Sequence, residues 1–134
     1  MIVLDTHIWV WWVQGDARLS AEAVSALDAR GSEGIGVSAI SFWEVAMLHG
    51  RGRVEFACPL DAWLIQASGY PGVQEVGLSR EVLVESCRLP GELHRDPADR
   101  MIIATARELN CSLITADERI LAYPHVRAVS PQDL

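Results

Sequence analysis

Four acidic residues, Asp5, Glu44, Asp99 and Asp117, are far apart in the chain but share one local setting. Each falls where a short apolar run gives way to a helix start, or just inside that helix. Singly, each has an ordinary explanation. Asp5 and Asp117 could cap the helices that follow them, and Ser41-Phe42-Trp43-Glu44 has the form of a capping box. Asp96 would cap a helix beginning at Pro97, with Asp99 in its first turn favouring the helix dipole. Capping, however, accepts Ser, Thr and Asn about as readily as Asp, so it does not require carboxylates at four such places. A hard divalent cation such as Mg2+ or Mn2+ does require carboxylate oxygens. A cation so held lowers the pKa of a bound water and orients it for in-line attack on a phosphodiester. Helix N-termini facing the same cleft favour an anionic phosphate. Without a cation the four acids repel one another, which raises some of their pKa values and weakens the fold.

The elements that must position these residues alternate between strand and helix. Ile2-Val3-Leu4 reads as a buried strand, Thr6 to Val13 as a helix, and Ser20 as the cap of a helix over Ala21 to Arg30. Ile35 to Val37 predicts a second strand, with a helix opening at Ser41 and running to about His49. A helix from Pro59, an edge strand over Val73 to Val76 and a helix from Ser79 or Arg80 to Leu89 follow. Pro97 to Asn110 is the clearest helix. Ser112 to Thr115 and Val126 to Val129 read as strands on either side of a short helix, Glu118 to Ala122. This alternation implies an α/β fold with a mainly parallel sheet covered on both faces. In such a sheet the four acids would meet outside the carboxyl ends of the strands.

At 134 residues, with no linker or compositional break, the chain predicts a single domain over residues 1–134. Such a chain buries roughly 65–70% of its unfolded surface and needs no staple. Cys58, Cys87 and Cys111 are odd in number and lie in apolar surroundings, which suggests buried thiols in a reducing compartment. Ile8 to Val13 is too short to span a bilayer and has no basic flank, so the expectation is a cytoplasmic protein without membrane attachment. The net charge of −7 argues against a broad nucleic-acid-coating surface but permits a local one. All eleven basic residues are arginine. The four histidines show no ligand spacing, which disfavours zinc.

Taken in order, four segments carry a family resemblance: Leu4-Asp5-Thr6-His7 with Trp11-Trp12, Val37 to Glu44, His94-Arg95-Asp96-Pro97-Ala98-Asp99-Arg100 running into Met101 to Ala104, and Leu113-Ile114-Thr115-Ala116-Asp117. Together they resemble the PIN-domain nucleases, and within them the VapC-type toxin ribonucleases, over essentially the whole length. The resemblance implies a three-layer fold with four to five strands and a Mg2+- or Mn2+-dependent endoribonuclease of a toxin–antitoxin pair. It also implies a cognate antitoxin and commonly a homodimer. Asp5, Glu44, Asp99 and Asp117 match the acidic metal-binding quartet of that family. Thr115 matches a position where a hydroxyl often supports that site, and the Thr6 hydroxyl is a candidate for the same role. Asp96 matches the H-x-D-P-x-D-R pattern of the subfamily and reads mainly as an N-cap, with an outer role at the site as a further candidate.

His94, Arg95 and Arg100 flank the acidic motif and are candidates for RNA phosphate. The helix rich in Trp9, Trp11 and Trp12 is apolar all round, so one face is a candidate partner surface. The competing reading is a catalytically silent PIN-like module that only binds protein or RNA. A phosphorylated-aspartate protein is disfavoured by the absence of lysine and of a second acid beside Asp5. A dinucleotide site is disfavoured by the absence of G-x-G-x-x-G after the first strand.

Overall fold

The unbroken apolar triplet at the N-terminus forms the strand β1 (Ile2–Leu4), buried on both faces as its composition demands. The computed structural model describes residues 1–134. β1 pairs in parallel with β2 (Ile35–Ser38) on one side and β4 (Ser112–Ile114) on the other, Leu4 standing opposite Val37 and Ile114. β3 (Val73–Val76) and β5 (Ala128–Val129) complete the sheet in the order β3-β2-β1-β4-β5. The chain steps outward from β1 to β3, then returns to the far side of β1. The crevice at the carboxyl ends of β1 and β4 is therefore the topological switch point, where open α/β sheets bind ligands.

Seven helices surround the sheet: α1 (Thr6–Gln14), α2 (Ala21–Ala29), α3 (Ala39–Gly50), α4 (Leu60–Ser68), α5 (Arg80–Cys87), α6 (Pro97–Glu108) and α7 (Glu118–Leu121). Side chains alternate across each strand, so Ile2, Leu4, Val37 and Ile114 face a core built with α1, α2 and α4. Val3 and Leu113 face a second core built with α5, α6 and α7. The expected three layers and parallel sheet are present, with five strands. No helix is long and apolar enough to cross a membrane.

Several local expectations change. α3 starts at Ala39, because the Ser38 hydroxyl already accepts from the Ile40 N–H. Ser41 and Glu44 are therefore inside the helix and form no capping box. α6 follows a loop after α5 and not a strand, so Asp99 reaches the sheet edge on a helix that leads into β4. Residues Val126 and Arg127 lie outside β5. Trp9 and Trp12 are core residues and Trp11 is partly buried, so the aromatic that faces solvent is Trp43, 56% exposed. Cys58 and Cys111 are half-buried and Cys87 is exposed, correcting the expectation of three buried thiols.

Candidate metal centre

Asp5 immediately follows β1 and caps α1. Its Oδ1 accepts from the Thr6 N–H at 2.9 Å and its Oδ2 from the Thr115 hydroxyl at 2.8 Å. At 3% exposure it is the most buried of the four acids, and each of its oxygens is oriented by a partner. Thr115, fully buried after β4, also accepts from the Asp117 N–H at 3.0 Å. One hydroxyl therefore ties the β1 and β4 acids together.

Glu44, one turn into α3, points back toward α1. The Thr6 hydroxyl donates to its Oε1 at 2.5 Å and lies 2.8 Å from the Ser41 hydroxyl. Burial is the main cause that pushes the Glu44 carboxyl up to about 7, against an ordinary 4.5; the nearby Asp5, Asp99 and Asp96 charges add to it and the Thr6 hydrogen bond opposes it. Asp99 is also raised, chiefly by burial, with the His94 hydrogen bond opposing. Asp117 behaves in the opposite sense. The Arg119 guanidinium donates to both of its oxygens, at 3.2 and 2.9 Å, and holds its pKa below the ordinary value.

Asp99 is the hub. Ligand atoms of Glu44, Asp96 and Asp99 lie within 4.8 Å of one another, as do those of His94, Asp99 and Asp117. Asp5, Glu44 and Asp99 line one cavity. The chain segments bearing the four acids therefore meet at the switch point. Two half-buried carboxylates there are raised above their ordinary pKa values, which is the state of an oxygen cluster that a hard cation would relieve. Asp96 caps α6 by accepting from the Asp99 N–H at 3.0 Å.

The remaining candidates divide. His94 turns inward, its Nε2 2.7 Å from Asp99 Oδ2 and its Nδ1 buried without a hydrogen-bond partner. Arg100 is also turned inward: its Nε donates to the Ser86 carbonyl at 2.8 Å and its terminal nitrogen reaches the Leu93 and His94 carbonyls. It clamps the loop before α6. Arg95 alone of the three faces solvent.

Two site residues escaped sequence reasoning. His7 accepts from the Ala116 N–H through Nε2 at 3.0 Å, which places its proton on Nδ1, 3.7 Å from Asp5 Oδ2. Arg119 approaches Asp99 at 3.9 Å besides pairing with Asp117. The position of Arg119 two residues after a strand-end acid was the available signal; His7 gave none, because its partner lies across the sheet.

The PIN domain family model matches residues 2–126. The chain is 36% identical over 129 residues to Ribonuclease VapC22 of Mycobacterium tuberculosis (strain ATCC 25618 / H37Rv), covering 96% of each chain. Among solved structures it is similar to VapBC2 from Rickettsia felis bound to a DNA fragment from their promoter, with a TM-score of 0.73, 18% identity and 97% and 98% of the two chains covered. It is also similar to FitAcB from Neisseria gonorrhoeae, with a TM-score of 0.71, 20% identity and full coverage of both.

Proposed function

The chain belongs to the PIN-domain family, and from that premise we propose that it is a metal-dependent endoribonuclease, the toxin of a toxin–antitoxin pair. The observation that carries this reading is that Asp5, Glu44 and Asp99, from three separate elements, line one cavity, with Asp117 beside Asp99 and the Glu44 carboxyl pushed up to about 7. Identity of 36% to a ribonuclease over nearly the whole chain supports the same reaction.

In this reading Asp5, Glu44, Asp99 and Asp117 would hold Mg2+ or Mn2+, which would lower the pKa of a bound water and so make a hydroxide nucleophile available near neutral pH. The protein's own contribution is placement. Thr115 and Thr6 fix the carboxylates of Asp5 and Glu44 by hydrogen bonds at 2.8 and 2.5 Å. The N-termini of α1 and α6 direct partial positive charge at the crevice, where the RNA phosphate would sit. Arg119 neutralises Asp117 while remaining largely exposed, so it can also face the phosphate. Arg95, next to Asp96, offers a second cation, whereas His94 acts through its hydrogen bond to Asp99 and Arg100 through the loop it holds.

Similarity in fold to a chain of a toxin–antitoxin complex from Klebsiella pneumoniae, with a TM-score of 0.68, 21% identity and full coverage of both chains, supports a cognate antitoxin for this chain. An apolar groove of about 460 Å³ beside Glu44, containing Ile40, Trp43, Met47 and Met101, supports a protein partner, either the antitoxin or a second copy in a homodimer. The reaction is tested by incubating purified protein with single-stranded RNA and Mn2+, with and without EDTA. Cleavage that the chelator abolishes, and that Asp5→Asn and Asp99→Asn each lower by at least about a hundredfold, is expected. Cleavage indifferent to EDTA or surviving in both variants would remove the metal mechanism.

A further inference from the structure

Most of the eleven arginines are already committed. Six pair with carboxylates, and Arg100 and Arg127 donate to backbone carbonyls. Arg51, Arg53 and Arg95 have neither an ion pair nor a side-chain hydrogen bond, and all three are exposed. Arg53 lines the cavity that contains Asp5, Glu44 and Asp99. Arg51 lines the groove on the other side of Glu44, and Arg95 precedes Asp96. In a chain of net charge −7, the cations free to meet a polyanion are thus gathered at one place.

The cavity itself extends away from the acids between α1, α3 and the segment Arg53-Val54, with a volume of about 230 Å³. That is below the usual range for drug-sized ligands and admits one small heterocycle, not a helix. Its walls suit a flat aromatic guest. Val10, Leu48 and Val54 are apolar, and Trp11 presents a partly exposed indole. That indole is already fixed: the His7 ring lies 5.0 Å from it and the Arg18 guanidinium sits 4.9 Å over it. Gln14 adds an amide at the edge, held only by a 3.5 Å contact to the Glu55 carbonyl. Single-stranded RNA is recognised by splaying bases onto such aromatic and guanidinium surfaces.

Resting on the nuclease reading above, we propose that this cavity receives one nucleobase of the RNA strand, from a nucleotide flanking the scissile phosphate. Trp11 is its stacking wall and Arg53 neutralises the adjoining backbone phosphate. The cavity shares its rim with the carboxylates, so a strand whose phosphate is at the crevice must place a neighbouring base at its mouth. The consequence is a sequence preference at one position beside the cut.

The test uses a randomised single-stranded RNA pool cut in Mn2+, with the new ends sequenced, for the wild type, Val54→Trp and Arg53→Gln. The wild type should favour one base by about tenfold or more at one flanking position, the scale of a lost stacking contact. Val54→Trp, which fills the cavity from a half-exposed loop, should bring this below about threefold while the manganese-induced melting shift stays as in wild type. Arg53→Gln should raise KM for all sequences and leave the preference intact. Uniform cutting by the wild type, or an undiminished preference in Val54→Trp, overturns the base pocket. So does a Val54→Trp protein that loses only antitoxin affinity, which would make the cavity a protein site. Failure of the wild type to cut any RNA would instead defeat the nuclease reading on which the pocket rests.

Discussion

Glu44 carries much of the electrostatic cost of the crevice, and its titration sets a sign. Its folded pKa of about 7 is above the ordinary 4.5, so between those values the unfolded chain has lost a proton that the folded protein keeps. Stability of the metal-free protein must therefore fall as pH rises through that window, by on the order of 2 kcal/mol once solvent screening of the half-exposed carboxyl is allowed for. Asp99, also raised, adds in the same direction. Asp117, lowered by Arg119, contributes stability that is lost only as pH falls below the ordinary carboxylate range. Melting in EDTA should drop by several degrees from pH 5 to pH 7.5, and Glu44→Gln should flatten the slope; a wild-type melting temperature that rises across this range would contradict the assignment. Thr115 makes a second residue-scale case. Thr115→Val removes the donor to Asp5 Oδ2, in a buried bond, and the acceptor for the Asp117 N–H, in a partly buried one. It should cost about 1–3 kcal/mol in denaturant unfolding and weaken Mn2+ binding by 10- to 100-fold, whereas Thr115→Ser keeps both bonds and should do neither.

Elements, more than residues, decide which acids can meet. α6 brings Asp99 to the crevice because Asp96 caps it and Arg100 ties its first turn to α5 and the preceding loop. Asp96→Ala should therefore lose about 1 kcal/mol of stability while Asp96→Asn retains it, since Asn caps as well as Asp. Equal loss in both, by chemical denaturation, would show that the charge matters and the cap does not. The helix-scale pattern of the sequence was readable here: Asp96-Pro97 marked the start of α6 because proline at the first helical position has no donor to waste. The start of α3 is not legible in the sequence, for an equally physical reason. Ser38 and Ser41 both carry the side chain of a cap, and only the length of β2, set by pairing to Val76 of β3, decides that Ser38 is the one used. The Trp-rich α1 was ambiguous because an all-round apolar helix can be either core or interface. Packing of Trp9 against Phe42 and Trp63 settles most of it as core.

At the scale of the molecule, parallel topology brings acids scattered along the sequence to one edge of the sheet. The order β3-β2-β1-β4-β5 puts the ends of β1 and β4 side by side, with α3 and α6 entering from the flanks. Alternating strand and helix patterns are enough to place Asp5, which directly follows β1, and Asp117, three residues beyond β4. Side-chain hydrogen bonds between sequence-distant residues, such as His7 to Ala116 and Thr6 to Glu44, leave no periodic trace and could not be read. In the proposed function the four carboxylates act as one cation site. Calorimetric titration of the metal-free protein with Mn2+ at pH 7.5 checks this on the wild type and on Asp5→Asn, Glu44→Gln, Asp99→Asn and Asp117→Asn. Each substitution should weaken binding by at least about tenfold. Wild-type affinity in all four variants would contradict a shared site.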